Sequence, residues 1–237
     1  MGQSYFIWKN KDCRSMGVWL QGPVAIVRPE ERVEHVQIIG RSGDLTETEG
    51  AEVYNSYIQT ATILVKGGFR VRDIYNWLRG SGYVTFSEEP DRRQKARIIG
   101  AITLDKHSYN LDWWTGECQF YCQPLKELLI EEPVEITSSG SAVQNRGDVV
   151  ARPYIVATAS STSMTIAAGG KLLTITGLTS GTKYTIDSDI MEVGFAEGVG
   201  SITANSIGEF PVLNPGANTI TGSGWSKLVI DRRERFL

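Results

Sequence analysis

The apolar residues of this chain fall in short runs cut by glycine, proline or charged clusters, and a single segment departs from that rhythm. Runs at 24–27, 36–39, 58–65, 98–104 and 119–122 in the first half read as β-strands. The exception begins at Val71, where Val71, Ile74, Tyr75 and Leu78 take the one-face spacing of a helix, with Trp77 on its flank and Gly80 and Gly82 as the stop. The pattern predicts a mainly β protein whose first half carries one short α-helix.

With 237 residues the chain is long enough for two domains, each with its own core. Near Pro133 the composition shifts toward Ser, Thr and Gly and the aromatic density falls, which divides the chain into 1–133 and 134–237. Thr137-Ser138-Ser139-Gly140-Ser141 reads as a linker or loose entry strand. Beyond it come short strand-like runs at 154–158, 164–167, 172–176, 183–187, 210–213 and 227–230. Ala168-Gly169-Gly170-Lys171 is a two-glycine hairpin turn, and Asn214-Pro215-Gly216 places Pro and Gly where a type II turn needs them. Evenly spaced short strands with such turns predict an antiparallel β-sandwich.

The formal net charge of −3 gives no basis for wrapping nucleic acid, which needs clustered cations to replace counterions. No apolar run approaches the ~18 residues that span a bilayer, and the start shows no basic-then-apolar leader, so the protein is expected to stay where it is made and off the membrane. Cys13, Cys118 and Cys122 are odd in number, and Cys118 and Cys122 share one strand face too far apart for a disulfide. They read as buried free thiols, with no metal or cofactor implied.

Catalytic constellations are sparse. His35 and His107 are the only histidines, and each reads as a surface or sheet-face residue. Asp187 and Asp189 are the best-placed carboxylate pair in the second half, but Asp-Ser-Asp at a strand end reads as a turn, and with Glu192 it forms a thin calcium set at most. Trp113-Trp114 and Trp225 have two readings, as sugar-stacking platforms or as cover for core and subunit surface. The run Ser87-Glu88-Glu89-Pro90-Asp91-Arg92-Arg93-Gln94-Lys95-Ala96-Arg97 reads as a solvated loop.

Several segments, taken in order, resemble a known family. They begin with Ser4-Tyr5-Phe6-Ile7-Trp8-Lys9-Asn10-Lys11-Asp12-Cys13-Arg14-Ser15-Met16-Gly17, and with Val36-Gln37-Ile38-Ile39 running into Gly40-Arg41-Ser42-Gly43, whose glycines supply a tight turn. Next are Trp77-Leu78 with Gly80, then Glu89-Pro90-Asp91, and Trp113-Trp114-Thr115-Gly116 leading to Phe120-Tyr121-Cys122-Gln123-Pro124. The second half adds Asn145-Arg146-Gly147-Asp148, Ile186-Asp187-Ser188, Phe210-Pro211-Val212-Leu213-Asn214-Pro215-Gly216 and Arg232-Arg233-Glu234-Arg235-Phe236-Leu237. Together they resemble the distal tail (Dit) proteins of siphophages infecting Gram-positive bacteria. One departure is the close of the chain, where Glu234 precedes Arg235 and the aromatic follows as Phe236, whereas the family often has an aromatic before its last arginine.

The resemblance implies an N-terminal ring-forming β domain and a C-terminal galectin-like sandwich, and a structural role rather than an enzyme's. It implies a homo-hexamer that joins the tail tube protein to the baseplate hub and supports receptor-binding proteins, located at the virion tail tip after assembly in the host cytoplasm. The candidate docking elements are the hairpin from Asp105 through His107 to Trp113, Trp114 and Gly116, and the charged stretch from Glu88 through Asp91, Arg92 and Arg93 to Arg97. A rival reading is a carbohydrate-binding sandwich that recognises cell-wall polysaccharide through the second half.

Overall fold

The computed structural model describes residues 4–48, 52–67, 71–106, 112–197 and 200–237. The chain divides into two compact units, Met1–Leu129 together with Leu237, and Ile130–Phe236. It is mainly β, with antiparallel sheets in both units and one α-helix among the described residues.

The first unit runs β1 (Phe6–Trp8), β2 (Lys11–Asp12), β3 (Val18–Leu20), β4 (Val33–Gln37), β5 (Asp44–Thr48), β6 (Tyr57–Lys66), α1 (Val71–Trp77), β7 (Ser81–Phe86), β8 (Arg92–Ile99), β9 (Leu104–Lys106) and β10 (Trp113–Leu128). Its main sheet has the order β2-β1-β7-β8-β10-β6-β3, and β9 pairs with β10 beside it. The long strand β10 is the spine. Gln119 to Leu128 pair with β8, whereas Trp114 to Gly116 pair with β9.

Alternation decides what this sheet buries. In β6, Ala61, Ile63 and Val65 are buried while Thr60, Thr62 and Lys66 are exposed; in β10, Cys118, Phe120 and Cys122 are fully buried. Phe120 sits at the centre, with its ring centroid 5.5 Å from Phe6, 5.5 Å from Trp8 and 5.6 Å from Phe86, all in edge-to-face contact. Pro124 cannot donate to a ladder, and the β8–β10 register shifts between Cys122 and Lys126. The carbonyl freed there, on Gln123, accepts a 2.6 Å bond from Gln94 Nε2, which also donates to the Tyr57 hydroxyl at 2.8 Å.

The opening segment is structural throughout. Phe6 and Trp8 point inward and are fully buried. The Asp12 carboxylate caps a 3-10 turn over Cys13–Met16 by accepting from the Arg14 amide at 2.8 Å, and Gly17 closes the turn at φ 69°. The helix α1, where the periodicity predicts it, packs Ile74 and the following Leu78 into the core. It is pinned to β1 reciprocally: Trp8 Nε1 donates to the Trp77 carbonyl at 3.0 Å, and Trp77 Nε1 donates to the Trp8 carbonyl at 3.2 Å.

Three expectations for this unit need correction. Residues 24–27 form no strand; they follow Pro23 irregularly, with Val24 buried and Ile26 exposed. The run 98–104 is broken at Gly100, φ 72°, into the end of β8 and the start of β9. The charged stretch is a turn only as far as Asp91. Arg92–Ile99 is an interior strand between β7 and β10, because Gln94 and Ala96 alternate inward while Lys95 and Arg97 face out.

The second unit runs β11 (Val134–Ile136), β12 (Ser141–Asn145), β13 (Tyr154–Ala159), β14 (Ser163–Ala168), β15 (Lys171–Thr176), β16 (Lys183–Asp187), β17 (Glu192–Phe195), β18 (Ser206–Gly208), β19 (Gly216–Ser223) and β20 (Trp225–Asp231). Two five-stranded sheets, β11-β20-β13-β16-β17 and β12-β19-β14-β15-β18, enclose one core that includes Ile155, Met164, Ile166, Leu173, Ile175, Ile186, Leu228 and Ile230. This is the antiparallel sandwich the turn spacing predicts. Gly169 and Gly170, at φ 60° and 78°, make the hairpin between β14 and β15, and a Cβ at Gly169 would lie 2.5 Å from the Val212 carbonyl oxygen. The stretch 137–140 is a turn between two strands of opposite sheets rather than a linker. Residues 210–213 make one isolated bridge, Ala151 to Leu213, and the strand lies just beyond, at β19.

The closing motif laces this unit together. The Arg232 guanidinium reaches Glu131 at 3.3 Å and Glu234 at 3.4 Å, and Glu234, 1% exposed, also meets Arg146 at 3.1 Å. Glu234 is therefore a buried acceptor with two arginines around it. Burial pushes the Glu131 carboxyl pKa up, and the Asp231 and Glu234 charges add to that rise.

Candidate functional site

The candidate segment forms β9 paired to β10, with Asp105 opposite Thr115 and Lys106 opposite Trp114. His107 lies outside the described residues. Neighbouring residues of a strand face opposite ways, so the two tryptophans separate. Trp114 packs against the inner core, whereas Trp113 belongs to the outer face with Thr115 and Glu117.

On that outer face Trp113 meets Trp19 of β3 across the intervening β6, with ring centroids 5.6 Å apart and planes at 56°. Trp19 sits opposite Leu64, Leu64 opposite Thr115, and Thr115 opposite Asp105, one continuous row across four strands. Beside the row is a groove of about 440 Å³ lined by Gln21, Thr62, Thr103, Asp105, Thr115 and Glu117 among others. Gly116 lets the segment leading into β9 come close, since a Cβ there would come within 2.3 Å of the Thr103 carbonyl oxygen. Sequence reading passed over Trp19. The alternation in Val18-Trp19-Leu20, with Val18 and Leu20 buried around a half-buried indole, is the signal that finds it.

The charged candidates are not brought together with that face as one surface. Glu88 is half-buried and accepts from the Val24 amide at 3.3 Å. Asp91 is exposed, and its backbone carbonyl accepts from the Leu129 amide at 2.8 Å. Arg92 pairs with Glu89 at 3.2 Å, and Glu89 also holds the buried Lys126 ammonium at 2.6 Å. Arg93 pairs with Glu127 at 3.3 Å and lies over the Tyr83 ring at 4.5 Å. These side chains brace β8 against its neighbours.

A second surface element is the arm formed by β4 and β5. The two strands pair with each other in a sheet of their own, from Val33 opposite Thr48 to Gln37 opposite Asp44. Gly40 and Gly43, at φ 84° and 83°, form the tight tip. Val36, Ile38, Ile39 and Leu45 are all exposed large apolar residues, Ile39 completely. His35 is exposed on this arm, with Thr46 Oγ1 3.4 Å from its Nδ1.

The second unit offers less. The Asp187 carboxylate is gripped by Arg233 through two bonds of 2.8 and 2.9 Å, and its Oδ1 also accepts from the Asp189 amide at 3.0 Å, a turn closure. Burial works to raise its pKa, but the Arg233 bonds and charge together with the Asp189 and Ile190 amides outweigh that and hold it below the ordinary value. Asp189 lies 3.9 Å from Arg152, and Glu192 is exposed opposite Asp187. Trp225 is 8% exposed and donates to the Thr165 carbonyl at 3.2 Å, a core residue rather than an open platform. Among the described residues no three His, Cys, Asp or Glu side chains converge as metal ligands. All three cysteines are buried and unbridged; burial raises the Cys13 thiol, pushes Cys118 up to about 12, and does the same to Cys122, partly opposed by Lys126.

Among the described residues, no helix is long and apolar enough to cross a membrane. No family model and no curated protein matches the sequence. Among solved structures the chain is similar to SPP1 Dit (gp 19.1), presented as a paradigm of the hub adsorption apparatus in phages that infect Gram-positive bacteria. The two superpose with a TM-score of 0.78 over 100% of each chain, at 20% sequence identity. The likeness shows that the two share a fold from end to end.

Proposed function

We propose that this chain is a structural protein of a phage tail, a distal tail adaptor whose activity is assembly and not catalysis. Six copies close into a ring through the first unit, the ring joins the tail tube protein to the baseplate hub, and the sandwich supports peripheral host-adhesion proteins. The protein is made and assembled in the bacterial cytoplasm and resides at the virion tail tip. The observation that carries this reading is the likeness to SPP1 Dit over the full length of both chains.

The physics of such a ring is a heterologous contact repeated until its rotation closes. Each junction must bury at least about 1,000 Å² to be specific and stable. An arm with no core beneath it and an indole pair on an outer sheet face are the kinds of surface that such a junction covers. The mild net charge of −3 suits a ring that lets a polyanionic genome pass without holding it.

Light scattering with negative-stain imaging of the same peak tests the reading. A particle of six times the 26.2 kDa protomer mass with six-fold images is expected, alone or on addition of the tube and hub proteins. A chain that stays monomeric at high concentration with both partners present would overturn it.

A further inference from the structure

The β4–β5 arm and the Trp19/Trp113 face pose complementary problems. An isolated two-stranded hairpin is marginal in water, because neither of its faces is covered. Here all the large apolar side chains from Val36 to Leu45 are exposed, so the arm lacks a partner surface within its own unit. The outer face has the converse need: a half-buried indole pair beside an open groove, and no arm residue lines that groove.

Charge indicates what fills it. The groove lining carries two carboxylates, Asp105 and Glu117, and no lysine or arginine. The arm tip, Ile38-Ile39-Gly40-Arg41-Ser42-Gly43, carries two isoleucines and a single charge, the cation of Arg41. Reach also fits, since the five strand residues Val33–Gln37 extend about 16 Å at strand spacing and hold the tip at 38–43 beyond them.

We propose that the arm of one copy docks on the outer sheet face of the next, with Ile38 and Ile39 against Trp19 and Trp113 and with Arg41 in the groove between Asp105 and Glu117. This rests on the ring reading and names the contact that closes it. The contact is heterologous by construction, because the arm and the groove are different surfaces of one chain, and that is the type of contact that generates rings.

Charge exchange tests it. Arg41→Glu alone, and Asp105→Lys with Glu117→Lys alone, should each raise the concentration for half-assembly by at least about tenfold. The replaced side chains are exposed, so the far-ultraviolet spectrum and thermal midpoint should not move. Mixing the two variants should restore the six-copy mass, because each arm then meets a groove of opposite charge. If wild-type rings form and either variant assembles as well as wild type, or the mixture stays as dispersed as its components, the proposed contact is wrong and the ring reading stands. If wild-type chains form no ring even with the tube and hub proteins, the ring reading fails first.

Discussion

Breaking the Asp187–Arg233 pair gives a stability change whose pH dependence separates it from an ordinary surface ion pair. The two bonds of 2.8 and 2.9 Å join the end of β16 to the segment after β20, and the side chains are only 16% and 28% exposed. A hydrogen bond to a charged group is worth about 1.5–3 kcal/mol, so the coupling in a cycle of Asp187→Asn, Arg233→Met and the double variant should be about 2 kcal/mol at pH 7. An exposed pair would give less than about 1 kcal/mol. Asparagine keeps the acceptor for the Asp189 amide, so the cycle isolates the arginine. Because the folded-state pKa of Asp187 lies below its unfolded value, the native state binds fewer protons there. The contribution is whole above the ordinary carboxylate pKa of ~3.9 and fades only as pH falls through the lower folded value. Urea unfolding at pH 7 and pH 4 reads both quantities. A coupling under about 0.5 kcal/mol at pH 7, or one already halved at pH 4, would refute the argument.

Phe120→Ala, which removes the ring at the centre of the first core, should destabilise that unit by about 3–5 kcal/mol in urea unfolding, and Phe120→Leu by clearly less. Gln94→Ala strands the Gln123 carbonyl and the Tyr57 hydroxyl beside β8 and should cost about 1–3 kcal/mol in the same assay. Gly116→Val drives a side chain into the Thr103 backbone and should cost about 1–3 kcal/mol while loosening β9, read as faster amide exchange at Leu104 to Lys106. The three buried thiols should be silent to a thiol reagent at pH 8 in the native protein and react together in denaturant; fast labelling of native Cys118 or Cys122 would contradict their burial.

Much of the fold was legible because alternation and turn chemistry are local. The helix at Val71, the Gly169-Gly170 hairpin and the strand at Lys183–Asp187 each follow from a few neighbouring residues. Strand β8 was not legible, because Arg92, Arg93, Lys95 and Arg97 read as solvent-facing, and the fact that half of an interior strand can be charged depends on which residues its neighbours place alongside. Strand β19 hid for a related reason. Its outer row is Ala217, Thr219, Thr221 and Ser223, and only Asn218 and Ile220 turn fully inward. The proposed docking surfaces were half visible. Trp113 and Asp105 could be named from sequence, but their pairing with Trp19 and the lack of cover on the arm are tertiary facts, set by the register of β3, β6 and β10.

The reciprocal bonds between Trp8 and Trp77 have a consequence for how such a chain can change over time. Each indole donates to the backbone carbonyl of the other, so replacing either one removes one of the two bonds that tie these segments together, 69 residues apart in the chain. Neither position can drift by a single step without loosening the tie between the two segments. In a fold that persists at 20% identity, positions locked in this mutual way are where sequence change should be slowest, and there a short, scattered signature can outlast the text around it.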